Sequence, residues 1–279
     1  MTARHWLPIL ILTPALLVGV GCKETLTGPE PGLKNPSSGD PLPVDPGIIC
    51  LEQHPEEGTP VVVTGEALAP VAFDVPKESK TALPSVTLIR SADVDGGDAD
   101  ASEVFFGGQP GEENATQLSW QSPNQMTLSI TDELSLGRGI YDLRVENPQG
   151  AQATSAGALA VINRPSVSAV APGIACVAQS DRVVTVTGQE ILRLGDERAE
   201  AVIGGNTYPV DSLSDCVAVA HDGIDAELCA TAEVTIPAAD LAAGAHPVEF
   251  QNPETAACKS SHEADQVALL VVDPPQITA

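Results

Sequence analysis

The sequence predicts an all-β chain of two tandem β-sandwiches, and three observations carry that prediction. Short runs alternate apolar and polar residues with period two. Tyr141, Leu143 and Val145 alternate with Asp142, Arg144 and Glu146, and Met126, Leu128 and Ile130 with Thr127, Ser129 and Thr131, as strands buried on one face require. Val183 to Thr187 and Ala158 to Ile162 read as further strands. The 24 prolines and 24 glycines among 279 residues supply turns for many short strands. Finally, the later part of the chain repeats the earlier part.

Composition bounds the rest. Aromatics are 3% and hydrophobic residues 43% of the chain, so the cores are aliphatic. A net charge of −25 with only 13 Lys and Arg excludes nucleic-acid binding, which needs cations against phosphates. It also opposes adsorption to anionic headgroups.

The N-terminus precedes the fold. Met1 to His5 carries Arg4 and no acid, and Trp6 to Val20 is apolar. That stretch falls short of the roughly 20 residues of a spanning helix, and Pro8 and Pro14 interrupt it. Residues 1–21 therefore read as a signal peptide. Val18-Gly19-Val20-Gly21-Cys22 resembles the lipobox of bacterial lipoproteins, with Gly19 where that family usually has Leu, Val or Ile. The resemblance implies that Cys22 carries palmitate and anchors the chain in a lipid membrane. Lys23, in place of the Asp that retains many such proteins at the inner membrane, implies the outer membrane. Ordinary cleavage after Gly21 is the alternative, and it would leave Cys22 a free thiol on a secreted protein.

Residues 22–45 read as a flexible tether. Pro29, Pro31, Pro36, Pro41 and Pro43 stand among Gly and Ser with few large apolar residues, too little surface to offset ordering entropy.

Self-comparison then divides the remainder into residues 46–164 and 165–279. Pro46-Gly47-Ile48-Ile49-Cys50 recurs as Pro172-Gly173-Ile174-Ala175-Cys176, an offset of 126, and Val61 to Gly65 recurs as Val184 to Gly188, an offset of 123. Gly139 to Pro148 recurs as Gly244 to Pro253, an offset of 105. The order is kept while the offset shrinks, so two copies of one module follow each other. The string from Val-Thr-Gly to Gly-x-Tyr-x-Leu-x-Val-x-Asn-Pro resembles the IPT/TIG domain. Copy one supplies Val63-Thr64-Gly65 and Gly139 to Gly150; copy two supplies Val186-Thr187-Gly188 and Gly244 to Pro253, with Glu254-Thr255 where the family often has a turn Gly. The resemblance covers nearly the whole chain after the tether and implies two immunoglobulin-like β-sandwiches. It says little about function, since such modules serve as spacers, adhesive units and accessory domains.

Export makes disulfides plausible. With Cys22 lipidated, Cys50, Cys176, Cys216, Cys229 and Cys258 remain, four of them in copy two. Cys216 and Cys229 flank an acidic excursion and pair as a local staple; Cys176 with Cys258 follows by elimination. Cys50 is left as a small buried hydrophobe, or as the partner of an unlipidated Cys22. Zinc is disfavoured because no Cys-x-x-Cys spacing exists.

Copy one is eighteen residues longer in its middle, and the excess includes Asp93, Asp95, Asp98, Asp100 and Glu103 around Gly96-Gly97. Oxygen ligands on a bent loop suit Ca²⁺. The EF-hand spacing fails, however, with Gly97 at position five and Val104 at position twelve, and a solvated insertion loop is the plainer reading. No nucleophile elbow, zinc-protease helix or phosphate loop occurs. His246 aligns with Tyr141 and reads as a core or boundary residue.

Together these readings predict a non-enzymatic envelope lipoprotein without cofactors. Its loops around Ala67 to Leu83, Ser91 to Glu103 and Val217 to Leu228 would meet a protein or glycan, or its modules would act as a spacer. The alternative is an accessory binding module for polysaccharide processing, for which Trp120 and Tyr208 are the candidate stacking platforms.

Overall fold

A computed structural model describes residues 28–34, 39–51, 57–75, 78–238, 240–256, 258–260 and 267–276. Cys22 lies outside them.

The first module holds β1 (Gly32–Leu33), β2 (Val44–Asp45), β3 (Ile48–Cys50), β4 (Thr59–Glu66), β5 (Val71–Val75) and β6 (Glu78–Ala82). It continues with β7 (Ser85–Ala92), β8 (Glu103–Phe106), β9 (Leu118–Ser122), β10 (Gln125–Ile130), β11 (Gly139–Glu146) and β12 (Gln152–Ile162). One sheet runs β1-β4-β10-β9 with β2 also on β4, and the facing sheet runs β3-β12-β11-β7-β8. The predicted alternation fills the space between them. Met126, Leu128 and Ile130 of one sheet and Tyr141 and Leu143 of the other are fully buried.

The second module comprises β13 (Ser166–Ala171), β14 (Ile174–Cys176), β15 (Arg182–Leu194), β16 (Glu197–Arg198), β17 (Glu200–Ile203) and β18 (Asn206–Ala218). β19 (Ala226–Ile236), β20 (Gly244–Gln251) and β21 (Ala268–Val272) complete it. Its strands run β13-β15-β19-β18-β17-β20-β21-β14. The thirteen-residue β18 changes sheets, pairing with β17 through Asn206 to Pro209 and with β19 through Val210 to Ala218. In the first module β8 and β9 are separate strands. There β7 and β8 are joined by the acidic loop, where the second module needs only the two-glycine turn Gly204-Gly205, both at positive φ.

Each recurring motif has a structural task. The Pro-Gly pair divides the opening strand: β2 pairs antiparallel with β4, then β3 crosses to lie parallel to β12. β13 and β14 divide the same way between β15 and β21. The glycine of Val-Thr-Gly lets another strand pass close, since a Cβ on Gly65 would meet the Gly32 carbonyl and one on Gly188 the Ser166 carbonyl. The asparagine of Asn-Pro is 1% exposed in both modules. Asn147 accepts from the Ala69 amide (3.1 Å) and donates to the Ala67 carbonyl (2.9 Å). Asn252 does the same at Leu192 (2.9 Å) and Glu190 (3.1 Å). Each pins a residue at positive φ, Ala67 or Glu190.

Tyr141 closes a tyrosine corner. Its hydroxyl accepts from the Gly137 amide (2.8 Å) and donates to the Gly137 carbonyl (2.9 Å), a hallmark of immunoglobulin-like sandwiches. His246 reaches the Ala242 carbonyl (2.7 Å), also four residues upstream, so imidazole does the phenol's work.

The tether reading is corrected in part. Gly32 and Leu33 pair with Glu66 and Gly65, and Val44 pairs with Val63 and is 2% exposed. Asn147 donates to the Pro29 carbonyl (2.8 Å) and Ser155 to that of Lys34 (2.7 Å). The first module thus begins before residue 46. Proline-rich composition suggests an extended chain, but such a chain lies readily along a sheet edge, and Leu33 and Val44 supply the apolar contact.

Candidate functional site at the module junction

Besides one core per module, a third buried cluster lies between the modules. The first module contributes Ile48, Cys50, Ile140, Ala160 and Ile162, which point outward from the β3–β12–β11 sheet. The second contributes Leu192, Val219, Ala226 and Ala256. Each is less than a tenth exposed.

A disulfide between Cys50 and Cys258 crosses this cluster, with Cα atoms 5.6 Å apart and 208 residues between them in sequence. The expected Cys176–Cys258 pair is therefore wrong, and so is Cys50 as an unbonded hydrophobe. Cys176 is free and half-buried. The elimination assumed that bonds close within a module. Cys258, however, sits in the turn after β20, which faces the first module, whereas Cys176 lies beside Val272 on another edge. The signal was present: Cys50 had no partner inside its own module. Cys216 and Cys229 are bonded across β18 and β19, where they pair in register.

Arg138 bridges the junction, pairing with Asp93 of its own module and, at 3.0 Å, with Glu190 of the other. Burial pushes the Glu190 carboxyl up from its usual range of about 4.5. The Arg138 charge and hydrogen bond oppose this, followed by the Asn163 backbone, while Asp93 reinforces it. Beside this bridge lies a cleft of about 210 Å³, lined by Asp95, Asp215, Val217 and Leu228 among others.

The acidic loop contributes to this junction. Asp93 accepts from the Val94 amide (2.7 Å), Asp95 accepts from the Gly97 amide (3.1 Å), and Glu103 lies 3.6 Å from Arg144. Asp98 and Asp100 are exposed. Among the described residues, the only three candidate ligands within 4.8 Å of one another are Cys216, Glu227 and Cys229, and those two sulfurs are bonded to each other. Val94 is instead buried against the second module, where its carbonyl accepts from the Ala220 amide (2.7 Å).

Two of the three candidate partner loops, Ser91 to Glu103 and Val217 to Leu228, therefore meet each other. Within Ala67 to Leu83, β5 and β6 pair antiparallel. This segment lies away from the junction, because Ala67 holds in the first module the place Glu190 holds in the second. The candidate aromatics are largely withdrawn from solvent. Tyr208 is 4% exposed, and Trp120 packs on the first core while donating to the Leu68 carbonyl (2.9 Å).

No protein-family model and no curated protein matches the chain. Solved structures similar to it include murine CEACAM1b, at 12% identity over 83% of this chain and 99% of that one, with a TM-score of 0.24. A titin I-band fragment, I67–I69, shares 13% identity over 84% of this chain and 65% of that one, with a TM-score of 0.30. The glucan-utilisation protein SGBP-B of Bacteroides ovatus, in complex with a mixed-linkage heptasaccharide, shares 14% identity over 81% and 43%, with a TM-score of 0.23. By its own strand order, divided first strands and tyrosine corner, the chain is a tandem of two immunoglobulin-like β-sandwiches.

Proposed function

We propose that this protein is a non-enzymatic lipoprotein of the bacterial envelope. Its two modules, of the IPT/TIG kind, form one stiff arm that presents protein-binding surface at a distance from the membrane. The observation that carries this reading is the junction. Contacts between domains of one chain are by default modest and mobile, whereas here a buried apolar cluster, a disulfide and the Arg138 bridge join the modules. Such a joint suits an element whose task is geometry. Protein is favoured over glycan as partner because Tyr208 and Trp120 are engaged in packing, leaving little to stack on a sugar ring.

A single experiment reads the anchor at Cys22 and the protein partner. Cells producing the full chain are labelled with palmitate, fractionated and treated with an impermeant crosslinker. We expect label on the wild type, its loss in Cys22→Ser with release from the membrane, and crosslinks to envelope proteins. An unlabelled wild type overturns the anchor, and crosslinks to lipid or glycan alone overturn the protein partner.

A further inference from the structure

The first-module face covered at the junction has a counterpart in the second module, and register fixes the equivalence. Ile48 pairs with Ala160 and Cys50 with Ile162 in the parallel β3–β12 ladder. Ile174 pairs with Leu270 and Cys176 with Val272 in the parallel β14–β21 ladder. In the first module all four of these residues are at most 4% exposed. In the second, Ile174 is 61%, Leu270 40% and Val272 38% exposed, and Cys176 is a half-buried free thiol. Ala175 and Val271, between them in sequence, are buried in the core, so alternation places the other four on one outward face. Ala245, paired with Leu270, extends that face and is exposed. Its counterpart Ile140 is 3% exposed in the junction.

A contiguous exposed apolar face marks a contact. This chain itself shows what covers such a face, namely the end of a module with small aliphatic residues and a cysteine in its Asn-Pro turn. We propose that the β14–β21 face docks, end-on, a further immunoglobulin-like module whose junction turn carries a cysteine, and that this cysteine bonds to Cys176 as Cys258 bonds to Cys50. Each thiol gives up its proton as the S–S bond forms. The two electrons pass to the disulfide of a thiol-oxidising envelope protein, which leaves as a dithiol. The contact is heterologous and head-to-tail.

An intact second copy does not meet this description. The docking end of its second module is already covered by its own first module. Its first module has Ala151 where the second has Cys258, since each carbonyl accepts from the amide of the turn asparagine (2.8 and 2.7 Å).

The proposal deepens the protein-binding reading and rests on it. Its test is a full chain with an extra copy of residues 165–279 fused at the C-terminus, exported under oxidising conditions and mapped by nonreduced peptide digestion. Cys176 is expected to be joined to the extra copy's equivalent of Cys258, with Cys50–Cys258 and Cys216–Cys229 intact as evidence of folding. Adding Ile174→Glu and Leu270→Glu is expected to abolish only the new bond. A Cys176 that stays alkylatable in the folded fusion overturns the proposal, as does a bond indifferent to those two charges or a Cys176–Cys176 dimer.

A second arm needs no fusion. The full chain with Cys50→Ser, Ile48→Glu and Ile162→Glu, in which charges unseat its own first module from the junction cluster, has both Cys258 and Cys176 free, and head-to-tail Cys176–Cys258 links between molecules are expected as a nonreducing ladder. Absence of that linkage from both arms likewise overturns it. Envelope crosslinks that persist in Cys176→Ser while these links fail would leave the broader binding reading standing and remove this face from it.

Discussion

Glu190 shows how one residue reports on the junction. It stands at φ 57, a left-handed conformation that side chains other than glycine adopt at a cost. Asn252 holds it there through its carbonyl. Its acid is raised chiefly by burial, with Arg138 only partly compensating. A carboxyl raised on folding stabilises most below its unfolded pKa, near 4.5, and that contribution is lost as pH rises through the folded value. Urea denaturation of the wild type and Glu190→Gln over a pH series should therefore show wild-type stability, relative to the variant, falling with rising pH across that window. A pH-independent difference would contradict the assignment. None of this was legible in sequence, because the residue equivalent to Glu190 in the first module is an alanine and no local motif places Arg138 beside it.

At the scale of elements the sequence was far more informative. The period-two runs became β10 and β11, and the recurrence of Gly139 to Pro148 became β20, because alternation is a local property of a strand with one buried face. The Val-Thr-Gly motif marked the place where β13 crosses β15, with Val167 in register with Gly188. Gly188→Ala is expected to push β13 off its partner at a cost of about 1–3 kcal/mol, the range for overpacking a tight contact. Hydrogen exchange should show β13 amides losing protection before those of β19. Equal protection would mean that the close approach is not needed. The proline-rich segment misled because composition reports average tendency, while Leu33 and Val44 decide the matter by where they pack.

For the whole molecule, the joint between modules is the feature that matters. Cys50–Cys258 closes 208 residues of chain, which the chain-entropy model values at about 5 kcal/mol. Each module nevertheless keeps its own core. Replacing both cysteines by serine should leave both sandwiches folded and loosen their relation. Small-angle scattering is expected to show a broader distribution of overall dimensions, and a melt with one transition in the wild type should divide into two. Unchanged scattering and a single transition would show that the apolar cluster alone fixes the joint.

The sequence by itself determined the class of fold, the number of modules, the strands that alternate, and the local Cys216–Cys229 staple, all of them properties of short segments or of comparison between segments. Only the tertiary structure decided that Cys258 meets Cys50, that two candidate binding loops bury each other, and that the acidic loop serves an interface. Those outcomes depend on which end of one module faces the other, and burial at such a contact is set by shape and apolar area from residues far apart in the chain. That physics also leaves the β14–β21 face, chemically alike to its covered counterpart, open to solvent.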